Sequence, residues 1–372
     1  HHSARAGRFD EALKLYRDRL SRRLYYQFGA YRTCIELLSE LFPEGQDREP
    51  HLSDEPARAW VLNGLANAYS CTGQTRRAAA LRERQIKIRE QRGDRLSLAI
   101  GLGNLADDQR LLGRLEAAEA GLRLRIELCR KAGSEWQEAL GHRELGTVLL
   151  YKGAYDEAAT EIQVALASLE PAGRTQSLCV VWAYHALHGL LRGDPRDAVE
   201  AARMAFALAD ATAKARTPDS RDFVQVRWLL GASFVALAET EPGEATSRLL
   251  EDAEVQLERA LKHCRRIDLV ELEPDILLSQ ARWHRAHGDR TEARRHAEEA
   301  LSIADRCEYR LAQADAHNLL ARLALESGDR AGARQHAEAG RDRAWCDGPP
   351  HCYRAALDQA ERLLSEMDHL NA

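Results

Sequence analysis

The sequence predicts an all-α protein built as one array of stacked helical hairpins. Three observations carry this. Ala, Leu, Arg and Glu, all good helix formers, dominate the 372 residues, and only ten prolines interrupt them. A glycine with a small residue five positions on recurs as GRFDEA (7–12), GQTRRA (73–78), GRLEAA (113–118), GAYDEA (153–158), GDPRDA (193–198), GDRTEA (288–293) and GDRAGA (328–333), with GAYRTC (29–34) as a degenerate copy. The glycines at 73, 113, 153 and 193 stand forty residues apart, as do those at 288 and 328.

Each copy reads as helix, turn, helix. A stretch of apolar periodicity precedes the glycine, which ends the first helix because it adopts positive φ without a Cβ clash. The small residue five positions later lets the second helix approach the first. A large–small pair sits eight and seven residues before the turn: Leu65-Ala66, Leu105-Ala106, Leu145-Gly146 and Leu320-Ala321, with Ala186 and Ala281 keeping the small member. This pair marks the packing face. A lone hairpin cannot bury that face, so the copies must stack. One further copy is expected between 193 and 288. Its first helix is VRWLLGASFVALAE (226–239), with Gly231 in the place of Ala106, and its second is AEVQLERALKHC (253–264).

These readings predict a single solenoid over residues 3–372, with about eight hairpins turning near Gly29, Gly73, Gly113, Gly153, Gly193, Arg248, Gly288 and Gly328. Loops are expected at 43–56, 212–222 and 240–250, with a change of curvature near the last two, and a capping helix at 354–367. His1 and His2 read as a tag remnant, with native N-terminal sequence expected beyond them.

A net charge of −5 points away from a polyanionic partner. Between Ala281 and Arg343 the 12 arginines are balanced by 11 acidic residues, which reads as a solvated, ion-paired surface. No apolar run is long enough to span a membrane, and no signal peptide is visible. The eight cysteines follow no disulfide-like spacing and fit a reducing, cytoplasmic setting.

The Leu-Ala/Gly pair, the turn glycine, the aromatic two residues on (Phe9, Tyr31, Tyr155) and the following Ala resemble the tetratricopeptide repeat (TPR). The period of forty resembles the long repeats of kinesin light chain and of bacterial signalling ATPases, against the usual ~34. YYQFGAYRTCIELLSELFP with WVLNGLANAYSCTGQ is similar to the C-terminal TPR arrays of bacterial STAND-type NTPases. The resemblance implies a right-handed α-α superhelix whose first helices line a concave groove for a protein or peptide.

Positions ten, nine, six and three before each turn are expected to face that groove. They give Asn63, Asn67, Asn104, Asp107 and Arg110 in the early repeats, then Arg143 and Glu144, an aromatic middle at Tyr184 and Trp228, and Arg282, Asn318 and Arg322 toward the end. Asparagine is a poor helix former, so three in matched places call for a use. The resemblance implies that Asn104 and its neighbours contact peptide backbone. The other use of these asparagines is to bridge neighbouring helices.

No phosphate-binding loop, GxSxG or HExxH motif occurs, and no catalytic residue, cofactor or metal site is assigned. His185 and His188 are three apart on one helix, as are His284 and His287, but neither pair has a third ligand at a telling sequence distance. CDGPPHC (346–352) reads as a chain break before the last helix. The expected function is a non-catalytic peptide-binding scaffold, the sensor region of a larger signalling NTPase. A self-associating adaptor and an RNA-binding repeat protein are the rival readings.

Overall fold

The forty-residue copies fold as antiparallel helix pairs that stack in chain order. The computed structural model describes residues 2–369 apart from 216, 217 and 242, so His1, residues 370–372 and parts of two expected loops lie outside the described residues. The chain opens with α1 (His2–Arg5) and α2 (Phe9–Leu15), runs through two π-helical turns (Tyr16–Leu20 and Arg23–Gln27) and reverses at Gly29 into α3 (Tyr31–Ser39). Seven full hairpins follow. They are α4 (Glu55–Cys71) with α5 (Thr75–Gln91), α6 (Arg95–Leu111) with α7 (Leu115–Lys131), α8 (Glu135–Lys152) with α9 (Tyr155–Leu169) and α10 (Thr175–Arg192) with α11 (Pro195–Lys214). The series continues with α12 (Ser220–Thr240) and α13 (Glu244–Arg266), α14 (Glu273–Ala286) and α15 (Arg290–Cys307), and α16 (Arg310–Glu326) and α17 (Arg330–Ala344). A last helix, α18 (Arg354–His369), packs on α16 and α17 in the place of a next first helix. The only β pairing among the described residues is one bridge, Gly348 to His351.

The small residue after each turn does what its spacing predicts. Ala78, Ala118, Ala158, Ala198, Ala293 and Ala333 are all 0% exposed, at the crossing of the two helices. The turn glycines all have positive φ, and a second series, Gly93, Gly133 and Gly173, has it too. A left-handed residue therefore ends every helix, twenty residues apart, from Gly73 to Gly193. The series resumes as Asp268, Gly288, Glu308, Gly328 and Gly348. The between-hairpin members lack the small residue five positions on, having Leu98, Glu138 and Leu178 there, so the motif does not find them.

The fifth hairpin corrects two expectations. Its first helix ends at Thr240 and its second begins at Glu244, not near Arg248, because helix-forming residues resume there. Both ends of the segment expected as a loop at 212–222 are helical: α11 runs to Lys214, and Asp219 caps α12 by accepting a hydrogen bond from the Arg221 N–H. The extra residues lengthen the helices, to 21 in α12 and 23 in α13 against 17 in α4 to α7. The non-helical stretch before α4 covers 40–54 against the expected 43–56, because Glu55 and Pro56 already belong to α4, and the capping helix runs to His369 against the expected 367.

The first helices of successive hairpins touch one another more closely than the second helices do, so they form the inner layer of a curved ribbon. The curvature is strong enough for the ribbon to meet itself. Arg32 pairs with Asp268 across 236 residues, close to six repeat periods. Arg76 pairs with Glu308, Ser220 Oγ donates to the Gln27 carbonyl, and the Glu116 N–H donates to the Asp347 carboxylate at 2.9 Å. The within-hairpin turns of the first hairpins thus seat on the between-hairpin turns of the last. Four of those turns need glycine twice over, the first being Gly29, where a Cβ would lie 2.8 Å from Ile267 Cβ. A Cβ on Gly73 would lie 2.8 Å from Cys307 Sγ and 2.9 Å from Val270, one on Gly113 would strike Arg310, and one on Gly153 would lie 2.6 Å from Arg354 Cβ. Gly288 has the same left-handed backbone, but a Cβ there meets nothing within 4 Å.

These paired turns separate backbone strain from closure. Gly288→Ala is expected to cost about 1–2 kcal/mol, the left-handed penalty alone. Gly73→Ala should cost about 1–3 kcal/mol more through overpacking of the seam. Urea midpoints of the two variants measure the difference, and equal losses would mean that the seam contributes nothing.

Candidate functional site in the concave groove

The polar residues of the early groove are largely spent on one another. Arg82, on α5, is 4% exposed, and its Nε donates to Asp108 Oδ2 at 2.5 Å. Ser70 Oγ donates to the other oxygen of that carboxylate at 2.7 Å. Burial pushes the Asp108 carboxyl up, and Arg82 and Ser70 pull it back. A further Arg82 nitrogen reaches Asn67 at 2.7 Å and Asn63 at 3.4 Å, and Asn104 Nδ2 donates to Asn63 Oδ1 at 2.9 Å. The asparagines therefore bridge consecutive repeats around a buried ion pair. The next repeat repeats the device with Arg125 and Glu144, held by Gln137 and Arg143. Asp107 stays near Arg110, whose guanidinium lies over the Tyr151 ring.

Two expected groove residues have a different task. Asn318 is fully buried, and its Nδ2 donates to the Ala356 carbonyl of α18 at 2.8 Å. Arg322 pairs with Glu366 of the same helix at 2.9 Å. Both fasten the capping helix, because α18 lies on the face that a further repeat would cover.

The residues that do converge lie between the middle and the C-terminal end of the ribbon. A cavity of about 520 Å³ opens on the concave side between α10, α12, α14, α16 and α18. Leu187, Leu190, Leu191 and Val235 give it an aliphatic wall. Trp228 lies in it with Nε1 donating to Ser279 Oγ at 3.0 Å, and the Tyr151 and Tyr353 rings meet edge to face at 5.1 Å across the seam. Tyr184 lies outside this lining, beneath Arg143. Arg282 lines the cavity beside two carboxyl groups that the groove offsets do not pick out, Asp275 and Asp315.

Both aspartates are raised. Burial, then the Asp315 carboxylate, pushes Asp275 up to about 7, against the pull of Arg110 and Arg282 and with a further push from Glu271. Burial pushes Asp315 to about 6, against Arg282 and the Tyr353 hydroxyl, which donates to Oδ2 at 3.2 Å. Their signal was present in the sequence. Both stand thirteen residues before a turn glycine, where earlier repeats carry Trp60, Ile100, Leu140 and Val180.

Comparison with solved structures finds the same architecture. The Rap conjugation gene regulator of plasmid pLS20, in complex with the Phr* peptide, is 11% identical over 97% of this chain and 96% of its own, with a TM-score of 0.61. A Rap protein complexed with competence and sporulation factor is 14% identical over 85% of this chain and 88% of its own, with a TM-score of 0.54. A STAND signal-transduction ATPase with a TPR sensor from Pyrococcus horikoshii is 18% identical over 94% of this chain and 48% of its own, with a TM-score of 0.41. The fold is a tetratricopeptide-repeat superhelix. No protein-family model matches the sequence, and no curated protein does. Among the described residues of this TPR superhelix, no helix is long and apolar enough to cross a membrane.

Two measurements test the electrostatics of the TPR interior. Asp108→Ala leaves Arg82 buried without its carboxylate and should cost about 3–5 kcal/mol, read from the urea midpoint. Asp275 should act in the opposite sense. Its folded pKa lies above the unfolded value, so the folded state holds the proton more tightly, and stability falls as pH rises from about 4 to about 7. Asp275→Asn removes that loss and should be more stable than the parent by about 1–2 kcal/mol at pH 8, the gain shrinking toward pH 5. Thermal melts at the two pH values check it.

Proposed function

We propose that the chain is a peptide-recognition scaffold, and that the cavity beside Trp228 is where the peptide is held. The observation that carries this reading is the composition of that cavity: an aliphatic and aromatic wall facing Asp275, Asp315 and Arg282. Its volume suits a few side chains. An apolar side chain would gain burial against Leu187, Leu190 and Trp228. A lysine, arginine or amino terminus beside it would meet the two aspartates, which ionise when a cation arrives. The Phr* peptide complex of a similarly folded protein supports the same reading.

The cavity is built from both halves of the closed ribbon, with Tyr151 on one side of the seam and Tyr353 and α18 on the other. A bound peptide would tie them together and favour one curvature, the differential affinity that a switch requires. The resemblance to STAND arrays makes an attached N-terminal NTPase or effector domain the receiver of that change.

Selection from a random peptide display library against the full chain tests the reading. Enriched peptides should combine an aromatic or aliphatic residue with a cationic one. Their affinity should fall at least about tenfold with Trp228→Ala or with Asp275→Asn and Asp315→Asn together, and hold with Asn63→Ala. Peptides that ignore all three changes would overturn it.

A further inference from the structure

The turn between α10 and α11 gathers three donor side chains beside the groove wall. His185 stands eight residues before Gly193, the position that Leu65, Leu105, Leu145 and Leu320 hold in other repeats. An imidazole in a leucine's packing position needs polar partners. Gly189 supplies the approach, since a Cβ there would lie 2.7 Å from the Ala198 nitrogen, so α10 and α11 touch backbone to backbone. The neighbouring Asp197 is thereby carried to α10, with Oδ2 3.4 Å from His185 Nε2. His188, three residues after His185, is 4% exposed. Its Nε2 is buried without a partner, and its ring centroid lies 6.4 Å from that of Tyr155. One donor atom from each of the three residues lies within 4.8 Å of the others.

We propose that His185, His188 and Asp197 bind a divalent transition metal of the zinc class. Tetrahedral bonds of 2.0–2.1 Å put donor atoms about 3.3 Å apart, and His185 and Asp197 already stand at that separation. Two imidazoles and one carboxylate are a donor set that zinc and cobalt accept, with the fourth position left to water. The buried, unpartnered Nε2 of His188 offers the second imidazole donor. Arg192 lies 3.7 Å from Asp197 but nearer to Asp194, at 3.1 Å, so it keeps a partner when Asp197 turns to the metal. The other cluster of this kind among the described residues, His284 with Glu292 and His296, is less suited, because His296 Nε2 faces the Arg295 guanidinium at 2.9 Å. A metal at the first site would clamp α10, and with it Leu187, Leu190 and Leu191 of the groove.

Titration of the full chain with Co²⁺ tests this without reference to any peptide. The expected result is the visible absorption of four-coordinate cobalt, saturating at a single equivalent and displaced by Zn²⁺. Trp182 stacks on His185 at 5.4 Å, so its fluorescence should be quenched in step. His188→Ala and Asp197→Asn should each weaken binding at least about tenfold, and His284→Ala should not. Asp197→Asn keeps the side-chain volume and serves if His188→Ala fails to fold. Absence of the bands, or bands that survive both ligand substitutions, would falsify the site.

Discussion

The structure depends on the close crossing of two helices at a left-handed turn. The turn residue ends one helix, and a buried alanine five residues on lets the next helix lie against it. Because the crossing repeats with little change, each hairpin is rotated against its neighbour by a similar step, and the steps sum to a ribbon that meets itself after about six repeats. The groove, its cavity and the buried charges all follow from that sum. Where the helices lengthen, in α12 and α13, the inner layer presents Trp228 and Val235 to the cavity.

Polar groups inside such a ribbon have two fates. Near the start, Arg82 and Asp108 are so enclosed that asparagines and a serine are needed to complete their hydrogen bonds. The result is a satisfied network that specifies register between repeats more than it adds stability. Toward the other end, Asp275, Asp315 and Arg282 line an open cavity and have no comparable set of partners. A carboxyl group left in that condition holds its proton more tightly, and a cationic guest would relieve it.

Much of the fold was legible in the sequence, because a forty-residue period with a glycine and an alanine at fixed offsets has one physical explanation. Less of the site was legible: of the expected groove residues, Arg282 and Trp228 line the cavity. Which groove residues stay free was not. Asn63 and Asn67 are consumed by Arg82 on a second helix, Asn104 by Asn63 of the preceding repeat, and Asn318 and Arg322 by a helix that covers the final repeat. Contacts of that kind join residues about twenty to forty-five apart, and those of the seam join residues more than 190 apart, so no local pattern records them. Asp275 and Asp315 were legible only by comparing one register across repeats, where they break an apolar column.

The seam also changes the kind of object this array is. An open solenoid behaves as a one-dimensional chain in which each unit feels only its neighbours, so its ends fray and its middle persists. Joining Gly73, Gly113 and Gly153 to turns more than 190 residues away makes the early hairpins neighbours of the late ones. Loss of order at either terminus then exposes apolar surface at the other, and the molecule gains cooperativity over its whole length. The entropy of closing so large a loop must be met before those contacts form, which places the seam late in folding.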